Sequence, residues 1–488
     1  MNVVAQPSFL TVDLWALGAV MALGVGAMVL LLLEFIPARP EGNRGPIVSL
    51  LTLAAAAYSV WHVRDVKRSL FEGMFVHDGM TVFMSLLFCG ITALTVLLSW
   101  DYVKRTRINQ GEFYALLLSA TMGMIIMAAS NDLITIFVGL ELMSLALYVL
   151  VGFRRTRLES SEASLKYFLL GAFSTGFLLY GIALLFGATG TTNLARMGAF
   201  LAGSPLQHNP LLLIGGALVL TGFAFKVAAV PFHMWTPDAY EGAPTTVTGY
   251  MSVGAEAAAF AALLRIALVA LGDLQVDWRP VLVALAIATM TVGNITALLQ
   301  TNLKRMLAYS SIAHAGYVLV ALAAGGPAGA SAAVFYLTTY SLMNLGAFGL
   351  LSLLGKDREE RVLIADVRGL GFRQPLLGLG LAVFMLSLGG IPPTAGFMGK
   401  VVVFGAAVNA GLIPLVVIGV LNSVVSIFYY LRVTVAMYMQ EPHGEPVHVS
   451  WTWASTVAVL IALGLTLWWG LQGNLLMQQA SESIAKML

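Results

Sequence analysis

Residues 210–236 read PLLLIGGALVLTGFAFKVAAVPFHMWT. The run is as long as a membrane helix requires, about 20 mostly apolar residues. Yet it carries a lysine, Lys226, inside it and a proline, Pro231, five residues later. Proline cannot donate the backbone bond to the Val227 carbonyl, so the helix loosens beside the lysine. A charge at the centre of a bilayer helix costs about 2.5–3.5 kcal/mol; such residues face the bundle interior and serve ion or proton movement. This one segment predicts a membrane protein with a broken helix at a functional charge.

The rest of the chain agrees. Of 488 residues, 59% are hydrophobic and only 10% charged, with a mean hydropathy of +0.87. A soluble domain carries about 25% charged residues. The net charge of +2 and the scattered basic residues argue against a nucleic-acid partner. A single cysteine, Cys89, allows neither an intrachain disulfide nor a thiolate cluster. About fourteen spans are read, over 11–36, 46–63, 78–100, 112–130, 132–153, 162–187, 210–236, 243–271, 279–300, 303–324, 328–354, 375–410, 411–439 and 450–471. The first lacks a basic leader and a small-residue cleavage site, so it reads as a span and not as a signal peptide. No span alternates with period two, which excludes a barrel. The expected fold is an all-α polytopic membrane protein forming a single membrane domain over 1–488.

Fifteen Lys and Arg fall in the odd-numbered loops, among them Arg39, Arg105, Arg154, Arg157, Lys304, Lys356 and Arg358, against five in the even-numbered loops. This bias places the odd loops in the cytoplasm and both termini on the periplasmic side. The longest basic loop, 355–374, is expected to touch neighbouring subunits.

Glu141, Lys226, Glu256 and Lys400 lie inside spans. Two acids and two bases sum to zero, as mutual pairing would require, so a helix-locking role and a proton relay both stay open. Polar stripes at helical spacing accompany them: Glu141, Ser144 and Tyr148; Thr248, Ser252 and Glu256; Ser310, Ser311, His314 and Tyr317; Tyr336, Thr339, Tyr340 and Asn344; Asn422, Ser426 and Tyr429. Each stripe alone could be ordinary helix–helix glue; five of them around midmembrane charges favour a hydrated relay. A second break is read at Pro392 and Pro393, which free the Leu388 and Gly389 carbonyls. Lys400, seven residues beyond Pro393, returns to nearly the same helix face. Two broken helices, each with a lysine, fit an internal repeat with ion sites at unwound backbone. Of the histidines, His62, His77, His208, His443 and His448 are expected to be solvated in or near loops. His233 is expected either to bond the unwound turn or to join the relay.

The stretches GLELMSLALYVLVGF (139–153), FKVAAVPFHMWTPDAYEGAPTTVTGYMS (225–252), NLKRMLAYSSIAHAGYVLVAL (302–322) and LSLGGIPPTAGFMGK (386–400) resemble the antiporter-like membrane subunits of respiratory complex I. The form IPPTAGFMGK is most similar to the subunit N branch; the subunit M branch ends this motif in Glu, and the subunit L branch carries a long lateral helix that the 17 or so residues after the last span do not provide. The resemblance implies two inverted five-helix repeats, over 112–271 and 279–439, preceded by a three-helix segment, 1–111, and followed by a final span, 440–488. It implies a proton relay through Glu141, Lys226, a central carrier and Lys400. At the centre the branch usually has a Lys where this chain has Glu256, which reverses the sign of the charge and makes His314 a stronger central carrier. The implied function is coupling of NADH-to-quinone electron transfer to proton translocation in a bacterial inner membrane. Partners would be the sister subunit M, the small subunits K and J, the lipid bilayer and protons. No cofactor is expected on this chain, because it has no glycine-rich nucleotide loop between strand and helix and no cysteine cluster. FMN, iron–sulfur clusters and quinone would belong to other subunits. Rival readings are a subunit of a sodium–proton antiporter or membrane hydrogenase, a structural subunit without its own proton path, and, least favoured, a free-standing solute transporter.

Overall fold

In lipid every backbone polar group must be satisfied within the protein, so apolar runs of this length become helices. The computed structural model describes residues 9–36, 42–203, 209–355, 360–442 and 448–487. In chain order they form α1 (Phe9–Leu33), α2 (Arg44–His62), a short hairpin of β1 (Arg68–Leu70) and β2 (Phe75–His77), α3 (Gly79–Arg105), α4 (Gly111–Ala129), α5 (Leu133–Val151), α6 (Leu158–Thr189), α7 (Leu194–Gly203), α8 (Pro210–Lys226), α9 (Thr236–Gly242), α10 (Thr245–Arg265), α11 (Gln275–Leu298), α12 (Leu303–Ala324), α13 (Gly326–Ser352), α14 (Leu370–Arg373), α15 (Pro375–Gly389), α16 (Ala395–Asn409), α17 (Ile413–Met439), α18 (Trp453–Leu471) and α19 (Gly473–Ala485).

Among the described residues twelve helices are long and apolar enough to cross a membrane. The spans read at 210–236 and 375–410 are not single helices: the first is α8 followed by an unwound turn that leads into α9, and the second is a pair, α15 and α16, parted at the prolines. α10, α12 and α13 form the buried centre, while α1, α2, α6, α17 and α18 turn large apolar side chains such as Leu32, Phe173 and Phe428 outward. With no hydrophobic force between helices in lipid, close packing relies on small residues. A Cβ on Gly123 of α4 would lie 2.6 Å from the Gly139 carbonyl of α5.

One hydrogen-bond pattern occurs in both halves. Asp132 caps α5 by accepting from the Ile134 and Thr135 amides; Asn302 caps α12 by accepting from Lys304 and Arg305. The Leu133 amide bonds the Thr192 carbonyl and Leu194 returns to Asn131; likewise Leu303 bonds Val362 and Ile364 returns to Thr301. At the breaks, Ala229 donates to the Ala224 carbonyl and Ile391 to Leu386.

Two features depart from the sequence reading, and a third adds to it. α19 is a thirteen-residue amphipathic helix that buries Leu476, Ala480 and Ile484 beside α3 and α13; it is too short and too polar to register as a span. His77 is buried, its Nε2 3.1 Å from the Val63 carbonyl. Burial holds its imidazole below the usual value although Val63 and Asp78 pull the other way. The described part of loop 355–374 folds back on its own bundle, where the Gly369 amide bonds the Ala436 carbonyl and Glu360 is buried. Arg39, Lys356, Arg358, His208 and His443 lie outside the described residues.

Candidate proton path

α8 ends at Lys226, and the chain turns through Ala228 at φ 53°, a left-handed conformation that costs a non-glycine residue about 1–2 kcal/mol. The Phe225 carbonyl at this turn accepts both the Ala228 amide at 3.1 Å and the Trp235 indole N–H at 2.9 Å. Lys226 therefore points elsewhere: its Nζ donates to Ser144 Oγ at 2.7 Å and to Tyr148 OH at 3.3 Å, both on α5. Gly171 makes room for that tyrosine, since a Cβ there would sit 2.0 Å from its hydroxyl. Glu141, on the same helix, accepts from Thr175 Oγ1 of α6 at 2.9 Å.

At the centre, Glu256 of α10 accepts from Ser311 Oγ of α12 and from Tyr240 OH of α9, the latter at 3.2 Å. His314 sits one turn beyond Ser311. Its Nδ1 lies 2.7 Å from Tyr336 OH and its Nε2 3.1 Å from Tyr430 OH, which in turn meets Ser310. Nearby, Asn344 donates to Ser252 at 2.8 Å and to Tyr340 at 2.9 Å.

The second break places Lys400 as the sequence anticipates. Its Nζ donates to the Gly389 carbonyl at 2.9 Å, to Leu388 at 3.3 Å and to Ser423 Oγ at 2.8 Å. The carbonyls released by the two prolines are the ones the lysine takes. Gly390, at φ 79°, leaves room for it, because a Cβ there would lie 2.8 Å from Lys400 Cδ.

The midmembrane charges do not pair with one another: among the described residues no ion pair within 4 Å involves Glu141, Lys226, Glu256 or Lys400. Hydroxyls and carbonyls solvate them instead, so the mutual pairing read from their zero sum is not what the structure contains. They form separate hydrogen-bonded islands. Stacked Tyr167 and Trp235, with ring centroids 4.4 Å apart, stand between Lys226 and Tyr240. The Tyr317 ring stands between His314 and Lys400, 5.0 Å from Nζ.

Not every stripe joins the path. On α17, Tyr429 and Asn422 bond Asn294 and Thr291 of α11 and so lock two helices, while Ser426 bonds the Ser423 carbonyl of its own helix. The α17 residues that reach the site are Ser423 and Tyr430, seven positions apart on one face, a spacing that could have been read. Thr175 and Tyr240 were also missed; Thr175 lies in a different span from Glu141, and Tyr240 lies on α9, between the spans that were read. His233 is half-buried in the unwound turn.

Among the described residues two largely buried ion clusters lie outside the path. Arg265 at the end of α10 grips Asp78, the N-cap of α3, at 2.7 and 3.1 Å, with both side chains almost fully buried. At the other end, Glu360 meets Arg154 at 3.2 Å, Arg157 at 3.4 Å, Lys304 at 3.6 Å, Thr245 Oγ1 at 3.1 Å and the Tyr102 hydroxyl. Burial would raise its carboxyl, but the surrounding cations, Lys304 and Arg154 first, hold it down at about 2.

Residues 130–426 match a family described as NADH:quinone oxidoreductase/Mrp antiporter, TM. The chain is 46% identical over 485 residues to NADH-quinone oxidoreductase subunit N of Trichlorobacter lovleyi, with 99% of each chain covered. It is 48% identical to the subunit N of Salinibacter ruber, covering 86% of this chain and 83% of that one. It is similar to a chain of respiratory complex I from Thermus thermophilus, with a TM-score of 0.81, 39% identity and coverage of 94% and 98%. A chain of the Mrp complex from Dietzia sp. shares the fold, with a TM-score of 0.84, 24% identity and 97% of each chain covered.

Proposed function

Because the chain belongs to the subunit N family of NADH-quinone oxidoreductase, we propose that Glu141, Lys226, Glu256, His314 and Lys400 are the proton carriers of this translocating subunit. As an enzyme subunit it serves proton translocation coupled to oxidation of NADH by quinone. The observation that carries the residue assignment is the solvation of these groups, four of them buried and Glu141 half-buried, by neutral ligands. A hydroxyl can donate or accept as it rotates. Ser144, Tyr240, Ser311, Tyr336 and Tyr430 can therefore follow a change of protonation that a buried counter-charge would oppose.

Transfer between islands requires the aromatic barriers to rotate or rehydrate, which makes Tyr167, Trp235 and Tyr317 the gates of this reading. Glu141 supplies the drive at the first break. Closing the Glu141–Lys226 pair to about 4 Å at an effective dielectric near 20 is worth about 4 kcal/mol. Moving one charge through about 150 mV costs about 3.5 kcal/mol. Making and breaking the pair is on the scale needed to move one proton. FMN, iron–sulfur clusters and quinone would reside in other subunits. We place the chain in the bacterial inner membrane beside subunits M, K and J, with both termini periplasmic. The antiporter and hydrogenase readings rest on shared fold, whereas the relatives at 46% and 48% identity are NADH-quinone oxidoreductase subunits.

The test is proton pumping by the assembled enzyme in sealed vesicles. Glu141→Gln and Lys226→Ala should each lower the proton-to-electron ratio with the complex intact. Normal ratios in both would remove the switch.

A further inference from the structure

At the basic end of the bundle a cavity of about 650 Å³ opens between the α3–α4 turn and the α5–α6 loop, with Arg107, Arg154, Arg155, Arg157, Gln110 and Glu360 in its wall. Four guanidinium groups face one carboxylate, and that carboxylate is already shared with Lys304 behind the wall, 3.6 Å away. Arg157 also leans towards Glu159 at 3.6 Å, both well exposed. Counting Lys304 and Glu159 or leaving them out, the surplus among the described residues is three positive charges. Among the described residues no carboxylate lies within 4 Å of Arg107 or Arg155. Arg154, 4% exposed, is fixed in place by Glu360, so part of the site is rigid before any ligand arrives.

Such a surplus in a cavity at the edge of the membrane calls for an anion. Planar guanidinium forks match the oxygens of a phosphate, to which they can donate in pairs. Basic pockets between membrane helices are where acidic headgroups settle. We propose that this cavity binds a phosphate group, supplied by an anionic phospholipid or by soluble phosphate. Bound there, the phosphate extends the neutralisation that Glu360 begins, at the point where α3, α5, α10 and α12 converge, and braces this end of the bundle.

The assembled enzyme is exchanged into nanodiscs of phosphatidylcholine alone or with phosphatidylglycerol, with and without inorganic phosphate, and the cavity is examined in density maps. Density continuing into acyl chains in the phosphatidylglycerol discs supports the lipid source; compact density that depends on added inorganic phosphate supports the soluble one. An empty cavity under all conditions, or one filled by a protein side chain, overturns the proposal. Arg107→Gln with Arg155→Gln removes two guanidiniums and leaves the Glu360 cluster intact. Affinity for the phosphate source that fills the cavity should fall roughly tenfold or more, and an unchanged affinity also overturns the proposal.

Discussion

Charge inside this bundle takes two forms. Glu360 and the Asp78–Arg265 pair are met by opposite charge, whereas Glu141, Lys226, Glu256 and Lys400 are met by hydroxyls and carbonyls. The first arrangement fixes a protonation state and ties elements together; the second leaves the charge free to change. Locks and carriers should therefore fail differently when mutated, and stability set against pumping separates them.

The largest stability loss should come from the locks. Arg265→Ala leaves Asp78 buried without its partner, which costs about 3–5 kcal/mol; the assembled complex should be lost or melt early. Glu360→Gln should be nearly as severe and carries a pH signature. Its carboxyl lies at about 2 against a usual 4.5, so its contribution, about 3 kcal/mol, is fully present above 4.5 and lost as pH falls from there towards 2. Thermal melts across that window should steepen in the wild type and flatten in Glu360→Gln. Equal acid sensitivity would contradict the lock.

Carrier variants should spare assembly. Lys400→Ala should abolish most coupled turnover yet cost only about 1–3 kcal/mol of stability, the scale of leaving buried hydrogen-bond partners unmet. Lys400→Glu should keep part of the turnover, since a carboxyl group there can still take up and release a proton. Full pumping in Lys400→Ala would remove it from the path.

Smaller effects compare the two breaks. Ala228 and Gly390 hold equivalent left-handed turns. Gly390→Ala should cost about 1–2 kcal/mol and displace Lys400, whereas Ala228→Gly should change stability by no more than about 1 kcal/mol and, through relief of strain, upward. Calorimetry of both variants checks the sign. Losses from both would deny the equivalence.

How much of this the sequence disclosed follows from range. Local rules read well: a proline frees the carbonyl four residues back, and Leu388 and Gly389 are the carbonyls that Lys400 takes. The membrane class and the positions of the buried charges follow from hydropathy. Partners from distant spans were not legible, because nothing in helical periodicity says that Ser311 of α12 will face Glu256 of α10 or that Thr175 will meet Glu141. Arg265 passed as a span-end cation because its partner Asp78 lies 187 positions away. Glu360 passed because its loop looked like an outward connector.

The claim that neutral solvation marks a carrier is tested most directly at Glu256, the least accessible of the acids on the path, held by Ser311 and Tyr240. Glu256→Gln keeps the shape and removes the charge. The measurement is the proton-to-electron ratio of the assembled variant enzyme in sealed vesicles. A lowered ratio with normal assembly is the predicted result; a wild-type ratio, or loss of the assembled complex, would contradict the account and leave His314 as the central carrier.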